Sequence, residues 1–236
     1  MRQLLTAAAI SVVALVVATA ASMTIGAAES SRMTAERTRV HAAPLVQEVE
    51  AVSDAPPSAG GVATGVPPLP VTVTVEQRAY AVHGRTEDEI LSSLRASGPN
   101  LDGGVFFGLT VAENEYRFRY RVTSGFCETV DARVTVQVSV TVPAWQPPTG
   151  APAELRRQWA RFDRALRGHE YGHRDLAIAG ANRLHAAVQG VRAPTCDEAA
   201  DRAGQLAARV QIETEARHRE YDEETDHGAT QGASWP

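Results

Sequence analysis

The chain has 236 residues, 44% of them apolar, and a formal net charge of −5 from 23 basic and 28 acidic side chains. That apolar share excludes a wholly disordered chain, and the acidic balance argues against a general nucleic-acid binder. Every basic residue is arginine, and the absence of lysine excludes Schiff-base lysine chemistry and a lysine-dependent phosphate loop.

In chain order, Arg2 precedes the apolar run Leu4–Ala18 and a weaker one to Ala28. A positive start, a short apolar core and small residues at Ala18-x-Ala20 or Gly26-x-Ala28 read as a secretory signal peptide over residues 1–28. The competing reading is an uncleaved N-terminal anchor that tethers the chain to a membrane. Either one predicts export, to the periplasm or out of the cell. Residues 29–70 carry no sustained period and are rich in Pro, Gly and Ala, with Pro56-Pro57, Gly60-Gly61 and Pro67-Pro68; they read as a flexible linker.

The folded domain is expected over residues 71–236. Val71–Val75 alternates with period two, and Tyr80–Val82 continues that strand or pairs with it. Thr86-x-x-Glu89 is a capping box for a short helix carrying Ile90, Leu91 and Leu94, stopped by Gly98-Pro99. Strands are expected at Val105–Val111, Tyr116–Val122 and Val130–Val142. A helix follows from Pro152 to about Val188, and a second, capped by Thr195-x-x-Glu198, runs to about Arg219 ahead of a polar tail. Strands first and helices last predict an α+β domain with an antiparallel sheet packed on C-terminal helices. Cys127 and Cys196, an even pair in an exported chain, predict a disulfide.

The chemistry sits in Gly168-His169-Glu170-Tyr171-Gly172-His173, an H-E-x-x-H sequence inside the first long helical pattern. Histidines at i and i+4 share one helix face and can reach one Zn²⁺ ion, while Glu170 projects beside them as general base and acid. Zinc lowers the pKa of a bound water to about 7, and the carboxylate passes its proton to the leaving amine. The stripe Leu155, Trp159, Phe162, Leu166, His169, His173, Leu176, Gly180 and Leu184 turns both histidines toward the core, where Gly172 and Gly180 allow close packing. Two core histidines bonded to neighbours are the plain alternative. His83, His185 and His218 read as surface or boundary residues. Tyr116–Arg121 alternates aromatic and arginine as an ordinary two-faced strand, so no nucleic-acid partner is expected.

The chain resembles a bacterial family of predicted secreted zinc-dependent proteases, long catalogued as a domain of unknown function. The resemblance rests on Tyr80-x-Val82-x-Gly84-x-Thr86, Cys127, Pro143-x-Trp145, Trp159-x-x-Phe162, His169–His173, Thr195-Cys196 and the segment Tyr221–Ala233, and it covers about Val71 to Pro236. It implies a zincin-like fold, a zinc peptidase activity and a peptide or protein substrate. A metzincin would carry glycine at 176 and histidine at 179, where Leu176 and Ala179 stand, so the third ligand comes from farther along. We place it at His227, beside Gly228, with Asp222 and Glu224 as alternatives and Tyr221 as a donor to the developing oxyanion. The acidic run Asp222–Asp226 otherwise reads as a solvated loop. Two further readings compete with a peptidase: a catalytically silent zincin-like module that binds an envelope component, and a structural metal site.

Overall fold

The structure, a computed structural model, describes residues 70–236 except 102, 103 and 124, together with the backbone of five short strands between residues 8 and 48. The expected signal peptide or anchor (1–28) and linker (29–70) otherwise lie outside the described residues. From residue 70 the elements are β1 (Val71–Val82), α1 (Glu87–Ser97), β2 (Asn100–Leu101), β3 (Gly104–Val105), β4 (Leu109–Thr123), β5 (Phe126–Trp145), α2 (Ala153–Val188), β6 (Arg192–Ala193) and α3 (Cys196–Thr225), closed by a 3₁₀ turn at Ala229–Gln231.

The α+β expectation holds, with two corrections to the strands. The sheet is mixed: β5 pairs antiparallel with β4 and with β6, but β1 lies parallel to it, Val71 opposite Val134 through to Val82 opposite Trp145. The expected strands Val105–Val111 and Tyr116–Val122 instead become β4 and the separate β2–β3 hairpin, with a break at Phe106–Gly108. At the break the chain runs against α2: a Cβ at Gly108 would lie 2.3 Å from Glu170 Oε1, a distance only glycine allows. Among the short early strands, Val17–Ala20 pairs antiparallel with Leu109–Ala112.

The alternation of β5 puts Val134, Val136, Val138, Val140 and Val142 on the helix side, all buried. β4 adds Tyr116, Phe118 and Tyr120 to the same face. The alanines of α3 at 199, 203 and 207 are buried in this cluster, small residues opposite large aromatics. A second apolar cluster gathers Val82, Ile90, Leu94, Phe107, Trp145, Leu155, Trp159, Phe162, Leu166 and Trp235. The end of the chain is therefore not a loose polar tail. Trp235 stacks edge-on with Phe162 (5.3 Å between ring centres) and packs on Trp159, while its indole N–H donates to Glu87 O at 3.1 Å.

Thr86 and Thr195 cap α1 and α3 as expected, each side chain accepting from the backbone N–H three residues on at 3.2 Å. Cys127 and Cys196 form the expected disulfide, which ties the start of β5 to the start of α3 and fits an oxidising compartment. No helix among the described residues is long and apolar enough to cross a membrane.

Candidate metal centre

α2 turns its buried face from apolar to polar for little more than one turn. Leu155, Trp159, Phe162 and Leu166 precede His169, Glu170 and His173, all fully buried, and Ala177, Ala181, Leu184 and Val188 follow. Leu176 is only partly buried, and Ala177 takes the core position expected of it. α3 packs against α2 and supplies a matching polar row, Gln211, Thr214, His218, Asp222 and Thr225, each at the i+3 or i+4 step that keeps one helix face.

Where the two rows meet, His169, His173 and Asp222 bring three ligand atoms within 4.8 Å of one another. The two Nε2 atoms are 3.2 Å apart, and Asp222 Oδ1 lies 3.0 Å from His173 Nε2 and 3.3 Å from His169 Nε2. Proton placement follows from the outer neighbours. The Gln231 amide donates through Nε2 to Tyr221 Oη (3.1 Å) and turns its Oε1 to His169 Nδ1 (3.1 Å), so Nδ1 carries the proton and Nε2 presents a lone pair. His173 Nδ1 faces His218 Nδ1 at 3.0 Å, so one of the two carries the proton between them; where His173 does, its Nε2 is bare as well. Two bare nitrogens and a carboxylate oxygen at such distances repel unless a proton or a cation lies among them.

The surroundings tune these groups. Burial opposes ionising Asp222, but with a proton rather than a cation among the three, hydrogen bonds from His169 and His173 outweigh it and hold the carboxyl at about 2. Burial pushes His173 down, and burial with the neighbouring His173 takes His218 down to about 3. A metal ligand set needs such states, here a neutral His173 imidazole and an ionised Asp222 carboxylate. Glu170 lies beside the group and not in it. Thr110 Oγ1 donates to its Oε2 at 2.7 Å, its Oε1 has no hydrogen-bond partner, and burial lifts the carboxyl to about 8.

His227 stands at the rim of the group. Its Nδ1 is 3.8 Å from Asp222 Oδ1, and the side chain is 45% exposed. Asp222, weighed as an alternative ligand, is the residue that completes the three; it is buried and belongs to no solvated loop, because α3 continues past Arg219 to Thr225. Tyr221 is close but oriented otherwise than expected. Its ring stacks on His169 (5.1 Å, 12°) and meets His173 edge-on (4.9 Å), while its hydroxyl points at the α2 backbone, 3.4 Å from His169 O. Asp226, His227 and Gly228 all adopt positive φ and reverse the chain. Gly228 then lies against the His169 ring, where a Cβ would come within 2.9 Å of Cγ. His218, read as a boundary residue, is in fact buried directly behind His173.

The sequence model of a bacterial protein family of unknown function, DUF922, matches residues 77–228. The chain belongs to that family. The matched segment spans H-E-x-x-H, His218, Asp222 and His227, and so contains the whole candidate group. No curated protein and no solved structure matches the chain.

Proposed function

We propose that this DUF922 domain is an exported zinc-dependent hydrolase of peptide bonds. The observation that carries the reading is Glu170: a buried carboxylate with an unpartnered oxygen, on the helix turn that carries two ligand-type histidines. The donor set fits zinc, with two imidazole nitrogens and one carboxylate oxygen, which leaves a tetrahedral ion one further position. Zinc held there supplies Lewis acidity, polarising a carbonyl and making water acidic near neutral pH.

The chain's own residues do the rest. His169 and His173 are fixed in orientation by Gln231 and His218, so their lone pairs converge without rearrangement. Thr110 holds one Glu170 oxygen and leaves the other to accept a proton from a water and return it to the leaving amine. Glu170, pushed up to about 8 by burial, sits in the range where a carboxyl both takes and gives a proton. Thr225, hydrogen-bonded to Tyr221 O at 2.7 Å and to Gly228 N at 3.2 Å, fixes the turn that carries Gly228 against the His169 ring.

The full burial of His169, Glu170 and His173 favours a second reading, a closed metal site in a domain that binds without hydrolysing. One set of measurements separates the two. The purified protein should hold about one zinc per chain; His169→Ala and His173→Ala should lose it; Glu170→Gln should keep it and lose hydrolysis of a general peptide substrate. Zinc with no hydrolysis in the wild type favours the closed site, and no zinc in the wild type refutes both.

A further inference from the structure

We propose that β1 pairs with β1 of a second copy of this chain, antiparallel about a two-fold axis through Gln77, so that two sheets join edge to edge. β1 is bonded along one side only among the described residues, to β5, and residues 72–79 are exposed without a break. Over twelve residues it has neither proline nor bulge, two of the devices that ordinarily protect a sheet edge, and its two charges, Glu76 and Arg78, are of opposite sign.

The direction of its backbone groups is fixed by register. Val134 N–H donates to Pro70 O at 2.9 Å, and in a parallel pair alternate residues turn both N–H and C=O to the same neighbour. Residues 72, 74, 76, 78 and 80 therefore bond to β5, while 73, 75, 77, 79 and 81 present both groups to the open edge. An antiparallel copy centred on Gln77 sets Gln77 against itself, Val75 against Ala79 and Val73 against Ala81. Every such pair joins two outward-facing residues, giving about ten backbone hydrogen bonds.

The side chains agree with that register and with no neighbouring one. Glu76 and Arg78 flank the axis on one face, paired within the strand at 2.7 Å and both more than half exposed. Antiparallel pairing about Gln77 puts Glu76 of one copy opposite Arg78 of the other, twice, at the positions where facing side chains come closest. On the opposite face Val73 and Val75, 39% and 42% exposed, meet alanines, large against small. A shift of the register by one residue sets an inward-facing residue opposite every outward-facing one; a shift by two, which moves the axis by one residue, sets Glu76 or Arg78 against its own copy. The axis lies close to the metal centre, since Gln77 Nε2 donates to the hydroxyl of Tyr171 within H-E-x-x-H.

The test is sedimentation velocity on the full exported chain, with circular dichroism and thiol counting to verify folding. The wild type should dimerise as concentration rises. Glu76→Arg or Arg78→Glu alone places like charges opposite at two points and should weaken self-association at least about tenfold. An equimolar mixture of the two variants should recover a mixed dimer, and the double variant carrying both changes should associate like the wild type. A wild type that stays monomeric, single variants that associate undiminished, or a mixture that stays monomeric would each overturn the proposal. So would a monomeric wild type whose β1 edge takes up an extended peptide of another protein, which would assign the edge to a different occupant.

Discussion

Gly168 and Gly172 sit one helical turn apart on α2, and the same substitution should have opposite effects at the two. In a helix interior, glycine costs about 1 kcal/mol relative to alanine. A Cβ at Gly168 meets nothing within 4 Å, so Gly168→Ala should gain most of that amount. At Gly172 a Cβ would lie 2.2 Å from Tyr221 Oη, 2.4 Å from Cζ and 2.8 Å from Cε1. The ring is held by stacking on His169 and by the Gln231 amide, so it cannot turn aside without disturbing His169. Overpacking of this kind costs about 1–3 kcal/mol, which offsets or exceeds the propensity gain and drives α3 away from α2 next to Asp222. Gly172→Ala should therefore be neutral to destabilised by about 2 kcal/mol in urea unfolding, and should bind zinc at least about tenfold more weakly by calorimetric titration. In a Tyr221→Ala background the clash is gone, and Gly172→Ala should stabilise by about 1 kcal/mol, a coupling that a double-mutant cycle reads directly. Were Gly172→Ala to stabilise the wild type as much as Gly168→Ala, with zinc affinity unchanged, the packing of Tyr221 between the helices would be disproved.

Replacing Cys127 and Cys196 together by alanine should cost about 4 kcal/mol in urea unfolding, from the 69-residue separation they bridge; a loss below about 1 kcal/mol would show that the bridge does not restrict the unfolded chain. Glu170 should make the chelated protein less stable as pH rises. Its folded value of about 8 exceeds the unfolded one near 4.5, so the stability is fully present below pH 4.5 and is lost by about pH 8. Glu170→Gln should flatten that slope in melts with excess chelator, and a slope unchanged in the variant would contradict the burial argument. Asp222→Asn should lower zinc affinity by about a hundredfold or more, whereas His227→Ala, at the rim, should lower it about tenfold or less; the reverse order would make His227 the third ligand.

Much of this could be read before any coordinates. Period-two valines announced β5, the threonine caps placed α1 and α3, and the i, i+4 histidines with their core-facing stripe placed two of the three residues of the candidate metal group. What remained hidden depended on pairing between distant segments. That β1 runs parallel to β5 is a matter of chain crossing, which alternation of valines does not encode. Asp222 was obscured by its company, since in Tyr221-Asp222-Glu223-Glu224 only its place in the row 211, 214, 218, 222, 225 separates it from solvated acids. Ending the helix near Arg219 cut that row before it could be seen, and the same cut made His218 look peripheral. Thr110 carried no local signal at all: it holds Glu170 across 60 residues of sequence.

The polar belt on α2 has a mechanical consequence. A single helix of 36 residues serves as the axle of two apolar cores, one around Trp159 and Phe162, the other around Leu184 and the valines of β5. Between them lies a layer whose attractions are directional and electrostatic, while each core on either side is interlocked by shape. Along α2 the two cores thus meet only through this layer, at His169 and His173. A substitution in that layer therefore acts on the candidate site while both apolar cores stay interlocked.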